Sequence, residues 1–228
     1  MSNAIRANRI LDAAVTLIAH YGYDKTTVSD IAREASVSKG AIYLHWQSKE
    51  QLFNALLVRE VQQLLDDTMS RVEDDLQGGT IDRMYYHGLL ALAAHPLMRA
   101  LYTSDSRILG DYVRHQGPGR YTQRFLFGQI FVQRMQTARL IRDDLDATMT
   151  SYLFSIISYG LMQIETFITS EQAPALEEVA SALADLVRHG FATENRDSEA
   201  GKQALRYLIN EVKQTYISQR ERKQDADD

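Results

Sequence analysis

The 228-residue chain contains no cysteine and only three prolines, and both shortages restrict what it can be. Without thiols it has no disulfide framework, no thiolate zinc site and no cysteine nucleophile. Pro96, Pro118 and Pro174 stand only at expected helix starts or in loops. No segment alternates apolar and polar residues between hairpin turns, so the chain is predicted to be all-α.

Long uncharged apolar runs are also missing. The most apolar stretch, residues 152–168, is interrupted by Ser155, Ser158, Gln163 and Glu165, which is typical of a buried helix rather than a membrane span. The first 14 residues carry charges among their apolar positions and do not resemble a signal peptide. We therefore expect a cytoplasmic protein with no membrane partner.

Signals of catalysis are equally scarce. No Ser/His/Asp order, glycine-rich phosphate loop or metal-ligand spacing stands out, so we expect no enzyme, no catalytic or metal site and no cofactor. The net charge is −5, with 7 Lys+Arg against 6 Asp+Glu in residues 1–60 and a net charge of −6 in the remainder. Charge alone therefore does not suggest nucleic-acid binding.

Helical periodicity and capping residues divide the chain into helices. Helix one is expected over residues 5–20 with Gly22 as its C-terminal cap, helix two after Thr27, helix three from Ser38 to about His45, and helix four from Ser48 to about Leu76. Further helices are expected over 80–94, 96–104, 120–138, 146–169, 174–193 and 198–223, and residues 105–119 are the least defined segment.

The stretch ASVSKGAIYLHWQSKEQL, residues 35–52, is the most informative. Two short helices joined by a tight turn form a helix-turn-helix unit, whose second helix can enter the major groove of DNA. Val37 and Ile42 are expected to face the core, which leaves an outward face made of Ser38, Lys39, Gly40, Ala41, Tyr43 and His45.

These outward residues suit contact with DNA. Gly40 costs about 1 kcal/mol inside a helix, but it would let the helix approach a backbone or base edge closely. Lys39 can reach a phosphate or a guanine, Tyr43 and His45 carry groups that hydrogen-bond phosphate oxygens, and Lys49 adds charge at the start of helix four. Each residue alone has a plainer interpretation, since exposed lysines are usually only solvated and a Tyr-x-His-Trp cluster is more often a partly buried helix end.

Residues 26–53, TTVSDIAREASVSKGAIYLHWQSKEQLF, preceded by AHYGYDKTT, resemble the N-terminal domain of TetR/AcrR-family transcriptional regulators. The resemblance covers about residues 5–60 and extends weakly over the body through the helix count and ARLIRDDLD, residues 138–146. Ser36 stands where the family usually has glycine, and Trp46 replaces the usual phenylalanine.

The resemblance implies a fold and a function. Residues 1–50 would be a three-helix DNA-binding module with the start of helix four, and residues 51–228 a larger helical bundle that dimerises and binds an effector. The outward residues of helix three and Lys49 would contact double-stranded operator DNA, and Thr27 would contact phosphate while capping helix two. A homodimer is expected through helices 146–169 and 174–193, while helix 198–223 either folds back on the body or widens the interface.

The effector is expected to be small and mostly apolar or aromatic, because the body is rich in Tyr, Phe and Met. Such stripes are more often core, and the sequence does not single out the lining of a pocket. The candidates are Tyr86, Tyr102, Phe127, Phe131, Tyr159 and Gln163.

The expected function is that of a repressor whose dimer leaves a palindromic operator when the effector binds. The alternative is a helical carrier of apolar ligands, or a protein-binding adaptor, whose helix-turn-helix no longer binds DNA. The operator sequence and the direction of the effector's action stay open.

Overall fold

A computed structural model describes residues 3–112, 119–164, 167–168 and 173–227. Within these ranges the chain forms helices and turns but no strand, with one isolated bridge between Ile141 and Ala192, which confirms the all-α prediction. The helices are α1 (Asn3–Tyr21), α2 (Val28–Glu34), α3 (Lys39–Tyr43), α4 (Lys49–Asp74), α5 (Ile81–Ala94), α6 (Pro96–Thr103), α7 (Ser106–Leu109), α8 (Gly119–Thr137), α9 (Ala147–Ile164), α10 (Leu176–Phe191) and α11 (Ser198–Asp227).

Most of these bounds fall within a few residues of the predicted ones. The segment expected as the least defined, 105–119, contains the short helix α7, and residues 113–118 lie outside the described part. Helix α9 ends at Ile164, and Glu165 in the predicted continuation also lies outside the described residues.

The described residues fall into two compact units. The N-terminal unit contains the residues up to Gln62 together with those from His95 to Tyr112, and the second unit contains the rest. Helix α4 contributes residues to both units, since the division falls after Gln62. The predicted functional division at residue 50 stays a prediction, and helices α6 and α7 belong with the N-terminal unit rather than with the body.

The core of the N-terminal unit is built from apolar faces of its first helices. Fully buried members include Ile10 and Ile18 of α1, Ile31 of α2, Ile42 of α3 and Phe53 of α4. These side chains are spaced so that each helix turns one stripe inward, which leaves the opposite face of α3 free for another role.

Local signals fix the turns between these helices. Gly22 ends α1 with φ +84°, and its N–H donates to the carbonyl of Ile18 at 2.9 Å. Ser36 adopts φ +50° in the turn before α3, which is the left-handed conformation that favours glycine. Ser38 then caps α3 by accepting a hydrogen bond from the Ala41 N–H at 3.1 Å.

Helix α11 folds back on the second unit. Leu205, Leu208, Ile209 and Val212 bury one stripe of it, and two of them, Leu205 and Ile209, join a core cluster with Val132 of α8. Of the two alternatives left open for this helix, the described residues show it packed against the second unit, and a contribution to an interface between subunits stays a prediction.

Candidate nucleic-acid interface

Helix α3 presents one face to the core and the opposite face to solvent. Ile42 is 1% exposed and Trp46 is buried, whereas Tyr43 is 51% exposed. Ser38, Lys39 and Gly40 are also exposed, and Ala41 and His45 are half-buried. The structure thus brings the predicted helix-three residues together around a single short helix, although α3 itself ends at Tyr43 rather than at His45.

Thr27 caps α2 as predicted. Its hydroxyl accepts a hydrogen bond from the Asp30 N–H at 3.2 Å and donates to Asp30 Oδ2 at 2.6 Å, while its own N–H donates to the same carboxylate at 3.1 Å. The hydrogen bonds from Thr27, with a smaller contribution from Arg33, hold the pKa of Asp30 below its usual value. A phosphate contact from Thr27 would require its hydroxyl to leave this carboxylate, so that contact stays a prediction.

The ammonium group of Lys49 already makes contacts within the protein. Its Nζ donates to the carbonyl of Tyr23 at 2.6 Å and lies 4.0 Å from the centroid of the Tyr23 ring. Burial lowers the pKa of Lys49, and the nearby Asp24 carboxylate opposes that shift. Because an ammonium has three N–H donors, two remain for a phosphate.

His45 is oriented by its neighbour Trp46. The two ring centroids lie 5.2 Å apart, and the Nε2 atom of His45 is buried without a hydrogen-bond partner. Since Nε2 is buried, the phosphate contact from His45 stays a prediction.

Leu44 belongs to the same outward face, although its apolar character gave no signal for it in the sequence. It is the C-cap of α3, has helical dihedral angles (φ −69°, ψ −20°) and is 82% exposed. Its N–H donates to the carbonyl of Gly40 at 3.0 Å, which places the two residues one helical turn apart on one line. The hydrophobic pattern alone would assign an apolar residue here to the core.

The six candidate effector residues are spread over both units. Tyr102 lies in α6, in the N-terminal unit, whereas the other five belong to the second unit. Phe131 packs against the core cluster, and Tyr86 lies under the guanidinium of Arg83, 4.5 Å from its ring centroid. Tyr86, Tyr102, Phe127, Phe131 and Gln163 are half-buried and Tyr159 is exposed.

Inside the second unit, the hydroxyl groups of Tyr85 and Ser158 form a polar pair that was not predicted from the sequence. The Tyr85 hydroxyl lies 3.0 Å from Ser158 Oγ and 3.3 Å from the carbonyl of Phe154. Nearby on the same face of α9, Ser151 Oγ is buried without a hydrogen-bond partner. These polar groups lie among the apolar side chains of the second unit, and the serines of α9 were their signal in the sequence.

Helix α9 carries an exposed apolar stripe in addition to its buried residues. Met149, Tyr152, Ile156 and Tyr159 are all about half-exposed and follow one another at intervals of three and four residues. Such spacing is that of a helix seam that packs against another helix. On α10, Leu186 is exposed as well.

The described residues show neither a metal-binding cluster nor a membrane-spanning helix. They contain no group of three or more His, Asp or Glu side chains placed to hold a metal ion. None of the described helices combines the length and the apolar character that a membrane span needs.

Comparison with known proteins identifies the domain that carries this interface. Residues 10–56 match the family model of bacterial regulatory proteins, tetR family. The probable acrEF/envCD operon repressor of Escherichia coli K12 is 25% identical over 181 residues, which cover 73% of this chain and 81% of that protein. Two other curated relatives align over 75 and 69 residues, and the chain spans only 24% and 34% of their lengths.

Solved structures share the fold. A regulator assigned to the tetR family from Mesorhizobium loti superposes with a TM-score of 0.62 at 21% identity, over 85% of this chain and all of that one. The transcriptional regulator FadR from Bacillus subtilis, in complex with stearoyl-CoA, superposes with a TM-score of 0.57 at 20% identity, over 78% of this chain and 96% of that one.

Proposed function

We propose that this chain is a member of the tetR family of bacterial regulatory proteins, whose model matches residues 10–56, and that it is a sequence-specific DNA-binding transcriptional regulator. It acts as a repressor that a small ligand removes from the operator. The observation that carries this function is the outward face of α3, where Lys39, Gly40 and Tyr43 are exposed around a helix anchored by buried Ile42. Repression accords with the name of the relative from Escherichia coli.

The active species is a homodimer formed through α9 and α10. The stripe of Met149, Tyr152, Ile156 and Tyr159 supports this interface, because a half-exposed apolar seam favours burial against a second helix. Gly160 and Gly190 support it too, since a Cβ at either position would meet no described atom of the chain within 4 Å. A partner helix could therefore approach closely there.

The effector is small and mostly apolar, and it binds within the second unit. Supporting this, FadR from Bacillus subtilis has the same fold and binds stearoyl-CoA. A dimer must hold its two recognition helices about 34–36 Å apart, one turn of B-DNA. An effector that prefers a body conformation with a different spacing shifts the population away from the operator-bound form, and α4 transmits the change because it contributes to both units.

This function needs no catalytic group or cofactor, and it belongs in the cytoplasm, where operator DNA is found. Binding of an effector is tested by thermal unfolding of the purified protein with stearoyl-CoA, free stearate and a simple aromatic acid as probes. We expect at least one apolar probe to raise the unfolding temperature and to weaken operator binding. A probe that stabilises the protein while leaving operator binding unchanged contradicts the proposed coupling.

Salt dependence distinguishes a DNA regulator from a carrier or adaptor. A dimer that neutralises several phosphates loses orders of magnitude in affinity between 50 and 200 mM salt, because bound cations are released from the duplex. We expect that loss for DNA fragments selected by the protein. A flat response favours the carrier or adaptor.

Substitutions test which residues make the contacts. We expect Lys49→Ala to weaken binding to all duplexes, and changes at Lys39 or Ala41 to alter sequence preference. Arg142→Ala is the control, because it removes one positive charge from the second unit, where Arg142 pairs with Asp144. Unchanged DNA binding in the Lys39, Ala41 and Lys49 variants, with the fold intact, would contradict the assigned face.

A further inference from the structure

Nothing in the described part of the protein explains the glycine at position 40. Its φ does not lie in the left-handed region, and a Cβ built there would meet only Ser38 Oγ, at 3.8 Å, which is ordinary contact. An alanine would therefore fit, and a helical glycine costs about 1 kcal/mol relative to alanine. The absent side chain benefits only something that approaches from outside.

The exposure of Leu44, like the glycine at position 40, is not explained by the packing of the fold. It is 82% exposed in a folded unit whose other apolar side chains near it, Ile42 and Trp46, are buried. A helical side chain leans towards the preceding turn, so the Leu44 side chain covers the surface next to Gly40. Both residues lie on the side of α3 opposite the buried Ile42. An open backbone and an exposed apolar side chain thus lie side by side at the centre of the outward face.

We propose that Gly40 and Leu44 together form an apolar contact that selects thymine, with the Leu44 side chain packed against a thymine C5-methyl group and Gly40 letting the helix come close enough. This inference rests on the proposed function and adds a specificity-determining residue to it. The thymine methyl is the apolar group that B-DNA displays in the major groove, so it is the base feature that a leucine can distinguish.

The surrounding surface favours DNA over a protein partner as the occupant. Lys39 and Tyr43, the exposed neighbours of this line on α3, offer an ammonium and a hydroxyl, which suit phosphates and base edges. A protein interface would be expected to extend the apolar surface, whereas Leu44 is flanked by exposed polar residues, including Gln47.

The test uses duplexes selected by the full-length protein, in which deoxyuridine replaces thymine at one position at a time, symmetrically in both half-sites. Uracil lacks only the C5-methyl group, so each replacement deletes one methyl contact. For the wild type we expect one position at which binding weakens about fourfold per half-site, the amount that burial of one methyl group contributes. For Leu44→Ala we expect no difference between thymine and uracil at that position.

Leu76→Ala is the matched control, because Leu76 is 89% exposed but lies after α4 in the second unit. It should keep the wild-type response to uracil. Circular dichroism and thermal unfolding should be unchanged in both variants, since neither leucine is buried.

Three results overturn the inference. The first is a response to uracil that is identical in wild type and Leu44→Ala. The second is a change of oligomeric state in Leu44→Ala with DNA discrimination intact, which would assign Leu44 to a protein interface. Failure of the protein to select any duplex is the third, and it differs from the others because it overturns the proposed function as well.

Discussion

At the scale of single residues, Gly40 is a position where the requirements of folding and of DNA binding differ. A glycine in a helix weakens the fold, and here no contact among the residues that the structure describes requires it. Residues that the fold does not need but that cost stability are expected at functional sites. Gly40 is therefore the residue at which the two requirements can be measured against each other.

We expect Gly40→Ala to raise the free energy of unfolding by up to about 1 kcal/mol, because alanine is the better helix former. The same change should weaken operator binding by roughly 5- to 100-fold, since the added Cβ enters a closely packed contact. Chemical denaturation and a DNA-binding titration measure the two effects. Gly88→Ala is the control, because Gly88 is also helical and a Cβ there meets nothing within 4 Å; it should stabilise the fold without changing DNA binding.

Asp75 makes the stability of the fold depend on pH, because its carboxyl group has a lowered pKa. Burial opposes its ionisation, but hydrogen bonds from His87 Nε2, Arg83 Nε and the Gln77 N–H outweigh burial and lower its pKa to about 2 from 3.8. Since the folded-state pKa lies below the unfolded value, the carboxylate stabilises the fold above about pH 4, and this contribution disappears as the pH falls towards 2.

We therefore expect Asp75→Asn to be less stable than the wild type at neutral pH, and the difference to shrink between pH 4 and pH 2. Urea denaturation at a series of pH values measures it. Asp74→Asn, a change at an exposed neighbour, should show no such narrowing. A difference that is constant with pH would contradict the assigned hydrogen bonds.

The sequence anticipated some residue conformations and missed others for a physical reason. The caps at Thr27 and Ser38 depend on neighbours within four residues, so they could be predicted locally, whereas Ser36 was singled out only by the family resemblance. The Lys49 ammonium on Tyr23 joins residues 26 apart, and the exposure of Leu44 depends on the packing of the whole unit. Neither follows from local spacing.

At the scale of helices, α11 packs tightly through its first turns. A Cβ at Gly79, in the turn before α5, would lie 1.7 Å from the carbonyl oxygen of Ser198, and one at Gly201 would lie 1.9 Å from that of Gly79. Lys202 then donates to the carbonyl of Glu73 at 3.1 Å, and Arg206 pairs with the Glu73 carboxylate. The start of α11 is thus fixed against the end of α4.

We expect Gly201→Ala to destabilise the protein by about 1–3 kcal/mol, because the new Cβ would overlap backbone rather than a flexible side chain. Arg206→Ala should cost under about 1 kcal/mol, since half-exposed ion pairs contribute little. Thermal and chemical denaturation give both values. Equal effects of the two substitutions would show that backbone packing does not anchor α11.

The helices themselves were largely predictable, and their packing was not. Caps and 3.6-residue periodicity located α5, α8 and α10 to within a few residues. Helix four was expected to end near Leu76 and the next helix to begin at residue 80, but the close approach of Gly79 to α11 was not predictable, because Ser198 is 119 residues away from Gly79 in the chain. Likewise, the short α7 lacks enough turns for a periodic pattern.

At the scale of the whole molecule, the proposed function depends on the pairing of two chains. Ile156 stands in the middle of the exposed stripe on α9 and is 50% exposed. A carboxylate at this position would be buried and unpaired in a dimer, but solvated in a monomer.

We expect Ile156→Glu to give a folded monomer in sedimentation experiments at micromolar concentration, with operator affinity reduced by orders of magnitude because each chain then binds one half-site alone. Gln133→Glu, at an exposed polar position of α8, is a control for added negative charge outside the proposed interface helices. If the Ile156→Glu variant remains a dimer, the interface lies elsewhere on the chain. If the wild-type protein is a monomer, the proposal of a two-fold symmetric dimer is wrong.

The sequence of DNA that the purified protein selects from random fragments tests the central claim most directly. The account predicts inverted half-sites with centres about 10–10.5 base pairs, or a multiple of that distance, apart, bound by two chains and lost on substitution of Lys39 and Ala41. Enrichment of no sequence, or of a sequence that the Lys39 and Ala41 variants bind equally well, would contradict it.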